Sequence, residues 1–453
     1  MGDKPPATPP VAEPTLQRSI GPVQLALYGL GSMLGAGIYG LIGKAAGEVG
    51  NAVWLAFVVA LVAALLTALS YASMGSRYPR AAGAAYVTHR AFGFPLIGFV
   101  VGLALVCSGL TSIATQSRVF ATNIAALFGV ESVPISWIAL GFLLVMTGLV
   151  FRGIRESIWV NVLCTVVEAA GLVIVIVVGV SYWGSVDYFE TPTSLGDDGA
   201  LLLVLQGAVL TFFAFIGFED TVNVAEECRD PQRTIPIGLI LAMVLAALLY
   251  IAVAITAVSV VPWQELAKAP GPLTEVMATA APSVPPIVYT FITLFAVANT
   301  ALVNYVTASR LLYGMSRQGL LPAFLGKVHA GRRTPHFAIV ALFIVLIPLA
   351  MLGTVTELAA ATVLMLLMVF AFVNAALFVL KRRKGEPEGR FEMPLLVPAL
   401  GTLVCAMLIV VRVGTGDWRA SALAGAMLLG TLVIYAVLRP RVAEDALQLP
   451  PAP

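Results

Sequence analysis

Three carboxylic acids, Glu168, Glu219 and Asp220, stand inside runs of apolar residues, where an ionised group would be far from water. Glu168 lies in the middle of VNVLCTVVEAAGLVIVIVVG, too deep for a glutamate side chain to reach either end of the run. Acids placed this way are candidates for binding and releasing a coupling ion. Three roles are open to Glu168. It can be a proton site with Asn304 as hydrogen-bond partner, a protonated structural group bonded to a neighbouring helix, or a charge that attracts a cationic solute or sodium. Glu219 and Asp220 adjoin one another in FFAFIGFED, and two neighbouring carboxylates beside a cavity do not both ionise cheaply. One of them suits the cap of a helix that begins there.

A second kind of chemistry is carried by backbone. GLGSMLGAGIYG places five glycines between Gly29 and Gly40 in an otherwise apolar run. Glycine costs a helix about 1 kcal/mol against alanine, and a peptide group freed in hydrocarbon costs several more. An unwound stretch at Gly35, Ala36 and Gly37 would expose N–H groups at the start of a half-helix, an end that suits a carboxylate. A second weak point, at FFAFIGFED, falls five apolar runs later and suggests discontinuous helices in corresponding halves of an inverted repeat. Close helix packing through small residues is the alternative reading of the glycines.

The elements that hold these groups are membrane helices. Apolar residues make up 59% of the 453 and charged residues only 11%, against about 25% charged in soluble domains. Twelve runs are long and apolar enough to span a bilayer: 22–46, 51–74, 95–126, 134–151, 158–183, 200–225, 235–261, 285–315, 336–353, 357–380, 394–412 and 419–438. Arginine and lysine concentrate in alternate loops, among them Arg77, Arg80, Arg152, Arg229, Arg233 and the run Lys381–Lys384. That bias puts both termini in the cytoplasm of a cell (inner) membrane protein. The proline-rich residues 1–17 and the residues 441–453 read as cytosolic tails, and 184–199 as an extracytoplasmic loop.

Other functions lack their signatures. No HExxH, Walker sequence or paired-histidine arrangement is present, so no enzyme chemistry, cofactor or metal is expected. Without a basic stripe interleaved with aromatics, nucleic acid is not an expected partner. A channel or a transport-dead sensor stays open, although no repeated filter is visible. The four cysteines lack metal-ligand spacing and read as small hydrophobes. His89, His329 and His336 fall in or beside cytosolic loops and read as surface residues. Arg118 is expected at an outer mouth or snorkelling to the interface, and EECRDPQRTIP (226–236) as a loop helix with local ion pairs.

Four motifs in order on the twelve-span plan resemble the amino acid–polyamine–organocation transporter superfamily, in its bacterial branch related to cationic amino acid transporters. They are GSMLGAGIYG (31–40), SYASMGSRYPRAAGAAY (70–86), FFAFIGFEDTVNVAEECRDPQRTIP (212–236) and SRLLYGMSRQGLLP (309–322). The resemblance implies an all-α fold of five plus five inverted helices, 18–183 and 200–380, with two more at 381–440. It implies a permease for amino acids or related amines, commonly proton-coupled or exchanging. It assigns the substrate carboxylate to the backbone at Gly35, Ala36, Gly37 and Ile38, and the α-ammonium to carbonyls at Phe213, Ala214 and Ile216. Phe213 and Phe218 would close over the substrate or stack on a cationic head. Proton-coupled relatives often carry a lysine where this chain has Glu168, a departure that puts the usual coupling scheme in doubt. An exchanger or polyamine transporter without proton coupling is the alternative.

Overall fold

The structure, a computed structural model, describes residues 18–80, 83–128, 134–192, 203–205, 207–208, 210–269, 271–352, 355–415 and 418–440. The two tails expected at 1–17 and 441–453 lie outside the described residues. In chain order the helices are α1 (Pro22–Met33), α2 (Ala36–Val49), α3 (Val53–Arg77), α4 (Gly83–Phe92), α5 (Pro95–Phe128), α6 (Ile135–Arg152), α7 (Ile154–Gly179) and α8 (Asp220–Asn223). Beyond these come α9 (Pro231–Val260), α10 (Trp263–Leu266), α11 (Pro272–Ala280), α12 (Pro286–Arg317), α13 (His336–Leu352), α14 (Val355–Arg382), α15 (Leu396–Thr415) and α16 (Trp418–Leu438). Among the described residues the only β-type pairing is one bridge, Ile20 to Cys228.

Among the described residues, ten helical stretches are long and apolar enough to cross a bilayer, and α13 is a shorter apolar helix. Nine of them, from Pro95–Ala125 to Ser421–Leu438, end within a few residues of the predicted segments, whereas Ile42–Arg77 runs from the end of the expected 22–46 through 51–74. Proline opens α1, α9 and α12 at a position whose N–H has no intrahelical acceptor in any case. The short helices α4, α10 and α11 lie between the expected spans. The last two helices are the least covered, with Val410 and Val437 more than 70% exposed. Apolar surface of that kind on a helix suits lipid rather than water.

Two packed groups surround the interior. Helix α5 lies along both α12 and α14, while α3 packs on α9 and α15. Between them run α1 and α2, which bury against α9, α7 and α12. The polypeptide leading into α1 is tied to the chain beyond α8. Ser19 and Ile20 donate their N–H groups to the Glu227 carbonyl at 2.9 and 3.0 Å, and the Arg229 N–H returns to the Ile20 carbonyl at 3.1 Å.

Candidate functional site

The first span is interrupted where the glycines predicted it. Helix α1 closes with a bond from the Leu34 N–H to the Leu30 carbonyl (2.9 Å), and α2 begins at Ala36 with Gly35 as its N-cap. The N–H groups of Ala36, Gly37 and Ile38 therefore form a first turn without intrahelical acceptors. The sixth span breaks too. Its described residues 203–205, 207–208 and 210–212 are helical, Phe213–Phe215 is a single 3₁₀ turn, and Ile216 is extended (φ −65°, ψ 136°). Gly217 then takes φ +124°, a backbone conformation open to glycine and strained for other residues. The chain does not resume as a long half-helix: α8 is one turn, succeeded by a 3₁₀ turn at Ala225–Glu227.

The two breaks lie against one another. A methyl group on Gly37 would sit 2.8 Å from the Ala214 Cα, so only glycine permits this approach. Tyr250 of α9 stands between them, its hydroxyl 2.6 Å from the Met33 carbonyl and 2.9 Å from the Ala214 carbonyl. The Ser32 hydroxyl donates to the Asp220 carboxylate at 2.5 Å. Glu219 reaches backward and accepts the Gly217 N–H at 2.9 Å. Neither acid caps α8 in the expected forward sense; each is spent holding the break in shape.

Beside the breaks is a cavity of about 50 Å³. One side is formed by Ser32, Met33, Gly35 and Gly37, and the adjoining side by Phe213, Ile216, Gly217, Glu219 and Asp220. The far side is the polar face of α5 and α12, including Ser112, Gln116, Thr300 and Asn304. Of the residues expected at the site, Gly35, Gly37, Phe213, Ile216, Glu219, Asp220 and Asn304 line this cavity. Ile38, Ala214, Phe218 and Glu168 do not, and the Ala36 side chain lies outside what the structure describes. Phe218 turns away, edge-on to Tyr71 and stacked on Phe370 with centroids 5.2 Å apart, so it packs between α3 and α14 rather than closing over the cavity.

Glu168 is fully buried in α7, and neither carboxyl oxygen has a hydrogen-bond partner among the described residues. The expected partner, Asn304, is engaged elsewhere: its amide donates to the Ser112 hydroxyl (3.2 Å) and the Thr300 carbonyl (2.9 Å). The asparagine on the Glu168 side of α12 is Asn299, five residues earlier and about 140° around the helix at 3.6 residues per turn. Asn299 donates to Thr165 at 3.0 Å and accepts from Asn161 at 2.7 Å. Tyr39 of α2 donates to the main-chain carbonyl of Glu168 at 2.8 Å, which joins this cluster to the interrupted span.

Sequence reasoning missed Arg310. It is a fully buried side chain on α12, and it pairs with the equally buried Glu227 through two contacts of 3.1 and 3.3 Å. A third nitrogen bonds the Ser309 hydroxyl. The signal was present, an arginine inside the apolar SRLLYG run, but its partner lies far away in the chain. The 226–236 stretch makes long-range ion pairs: besides Glu227, Asp230 meets Arg390 at 3.3 Å, and α9 has begun by Pro231. Arg118 donates to the Ala350 carbonyl at 2.9 Å and so caps the end of α13. His89 is buried in α4, not a surface residue. Among the described residues no group of three His, Cys, Asp or Glu side chains could hold a metal ion.

Interrupted spans paired across a small cavity with polar groups on its walls fit a transporter, and the relationships agree. The profile of the amino acid permease family matches residues 20–435. The chain belongs to that family, within the amino acid–polyamine–organocation superfamily. It is 28% identical to the branched-chain amino acid permease BcaP of Bacillus subtilis, over 88% of each chain. It is 30% identical to the vacuolar cationic amino acid transporter 2 of Arabidopsis thaliana, over 81% of this chain and 60% of that protein. An uncharacterized transporter of Mycobacterium bovis is 30% identical over 87% of this chain and 86% of its own. The permease is thus a multi-pass membrane transporter and not an enzyme.

Proposed function

We propose that the chain is a secondary active permease that moves amino acids by alternating access, coupled to protons, in a cell (inner) membrane with both termini cytoplasmic. The supporting observation is the opposition of the two breaks. The free N–H groups opening α2 offer donors to a carboxylate, while the interrupted sixth span offers carbonyls to an ammonium group. An amino acid carries both charges on one carbon. The relatives named for branched-chain and for cationic amino acids differ in side chain but share that head group. Twelve spans, the first ten as an inverted repeat of five and five, are the frame in which α1 and the sixth span occupy corresponding places.

Glu168 is the coupling group in this reading. It is buried, unpaired in the described structure, and lies beside both α12 and the residue that anchors α2, so a change in its protonation is felt where the first span is broken. It lies outside the cavity, so coupling passes through helix positions rather than by touching the substrate. Uptake into proteoliposomes with and without an inside-alkaline gradient tests this. Wild-type uptake is expected to accelerate with the gradient, and Glu168→Gln to keep counterflow while losing that response. An undiminished response in the variant removes Glu168 from coupling, and no saturable uptake of any amino acid sinks the permease reading.

A further inference from the structure

We infer that Gln116 is the residue that selects the substrate side chain, and that it favours a small side chain bearing a hydroxyl over a branched aliphatic one. The inference rests on the permease reading and adds a substrate class to it. Ser108, Ser112 and Gln116 recur at four-residue spacing on α5 and all line the cavity, opposite the α2 turn that would hold the carboxylate. Gln116 is only 4% exposed, and its amide oxygen has no hydrogen-bond partner among the described residues. Asn304 cannot relieve it without giving up its own bonds to Ser112 and Thr300. A buried amide left unmet is costly, so the wall favours an occupant that supplies the missing bond.

The rest of the cavity narrows the choice. Among the described residues no lysine, arginine or histidine lines it, so an anionic side chain would have no counter-charge there. Its volume of about 50 Å³ holds roughly four waters at 10–15 Å³ each, which suits a short side chain better than a long cationic one. A hydroxyl both donates and accepts, so it satisfies the Gln116 amide in either of the two orientations that share the same shape. An aliphatic group of equal size would leave the amide buried and unpaired.

Threonine and valine are nearly isosteric and differ in this one group. The full-length protein in proteoliposomes is assayed for uptake of labelled alanine, with threonine and valine as competitors. Threonine is expected to compete better than valine by about 5- to 150-fold, and Gln116→Leu to bring that ratio to about one or reverse it. Equal competition in the wild-type protein overturns the inference even where Gln116→Leu does not insert, and so does a ratio unmoved by the substitution. Saturable alanine uptake with equal competition sinks this inference alone. Absence of uptake of any amino acid sinks the permease reading and this one together.

Discussion

Replacing Tyr250 with phenylalanine removes one hydroxyl and nothing else. The ring keeps its edge-on contact with Phe215, centroids 5.2 Å apart, and its tilted contact with Phe57 at 5.8 Å. The substitution deletes the donor shared by the Met33 and Ala214 carbonyls, one from each interrupted span. A hydroxyl has a single proton, so only one carbonyl is served at any instant, and the loss is one buried hydrogen bond rather than two. That is worth about 1–3 kcal/mol, or about 5- to 150-fold in the population in which the two breaks are drawn together. Because Met33 and Phe213, the neighbour of Ala214, line the cavity, the deficit should fall on substrate affinity. Half-saturation for amino acid uptake in proteoliposomes is expected to rise roughly tenfold, with a modest drop in the melting temperature in detergent. Tyr250→Ala, which also empties the ring's volume, should cost about 3–5 kcal/mol of stability. Half-saturation and melting temperature of Tyr250→Phe matching the wild type within twofold and one degree would refute the coupling of the two breaks through this hydroxyl.

Gly217→Ala forces a side chain into φ +124° and places its methyl 2.7 Å from the Ser32 hydroxyl. With about 1–3 kcal/mol of backbone strain alone, uptake should be lost while helical content by circular dichroism is retained; normal uptake would show that the break tolerates another geometry. Glu227→Gln leaves Arg310 buried and short of a counter-charge, a loss of about 3–5 kcal/mol. The paired change Glu227→Leu with Arg310→Met should recover most of it by unfolding in denaturant, and a double variant no better than the single one would contradict this. Burial raises the Glu392 carboxyl, but hydrogen bonds from Arg77, Lys381 and the Gly389 N–H together hold it below its usual value of 4.5. A carboxyl depressed in the folded state stabilises above its unfolded value, and that contribution is lost as pH falls through the folded one. Glu392→Gln should therefore be less stable than the wild type at pH 7, with the gap closing as pH falls below 4.5; a gap independent of pH would remove the charge from the account.

The spans were legible because hydropathy and helix-breaking residues fall in register along this chain, and both interruptions were legible because glycine and acid occur where lipid-facing helices avoid them. The rotation of each helix was not. Asn299 and Asn304 are equally plausible neighbours of Glu168 in the sequence, and only the phase of α12 against α7 puts Asn299 on that side. Phe218 likewise sits one residue from a predicted break, yet the turn at Gly217 sends its ring toward Tyr71 and Phe370. Glu219 and Asp220 were recognised as a pair, but their use in bonding Gly217 and Ser32 depends on a fold-back that local propensity does not encode. Arg310 and Glu227 meet because two segments far apart in the chain converge, which no periodicity reports.

The short Ile20–Cys228 bridge fastens the lead into α1 to the stretch of chain beyond α8, and Tyr250 and the Ser32–Asp220 bond fasten the same two segments midway along their length. Two pieces riveted at two heights resist pivoting about each other, so under the proposed alternating access they would travel as one leaf. Against α12 this leaf is held by the buried Arg310–Glu227 pair and by the Tyr28 hydroxyl, 3.1 Å from that of Thr307, and in that cycle this is the seam that would part. Attraction between ions falls steeply once water reaches them, so the first molecules to enter such a crack weaken the very contact that kept them out. Under the proposed alternating access, a closure of that kind would favour two positions, shut and fully parted, over any between them.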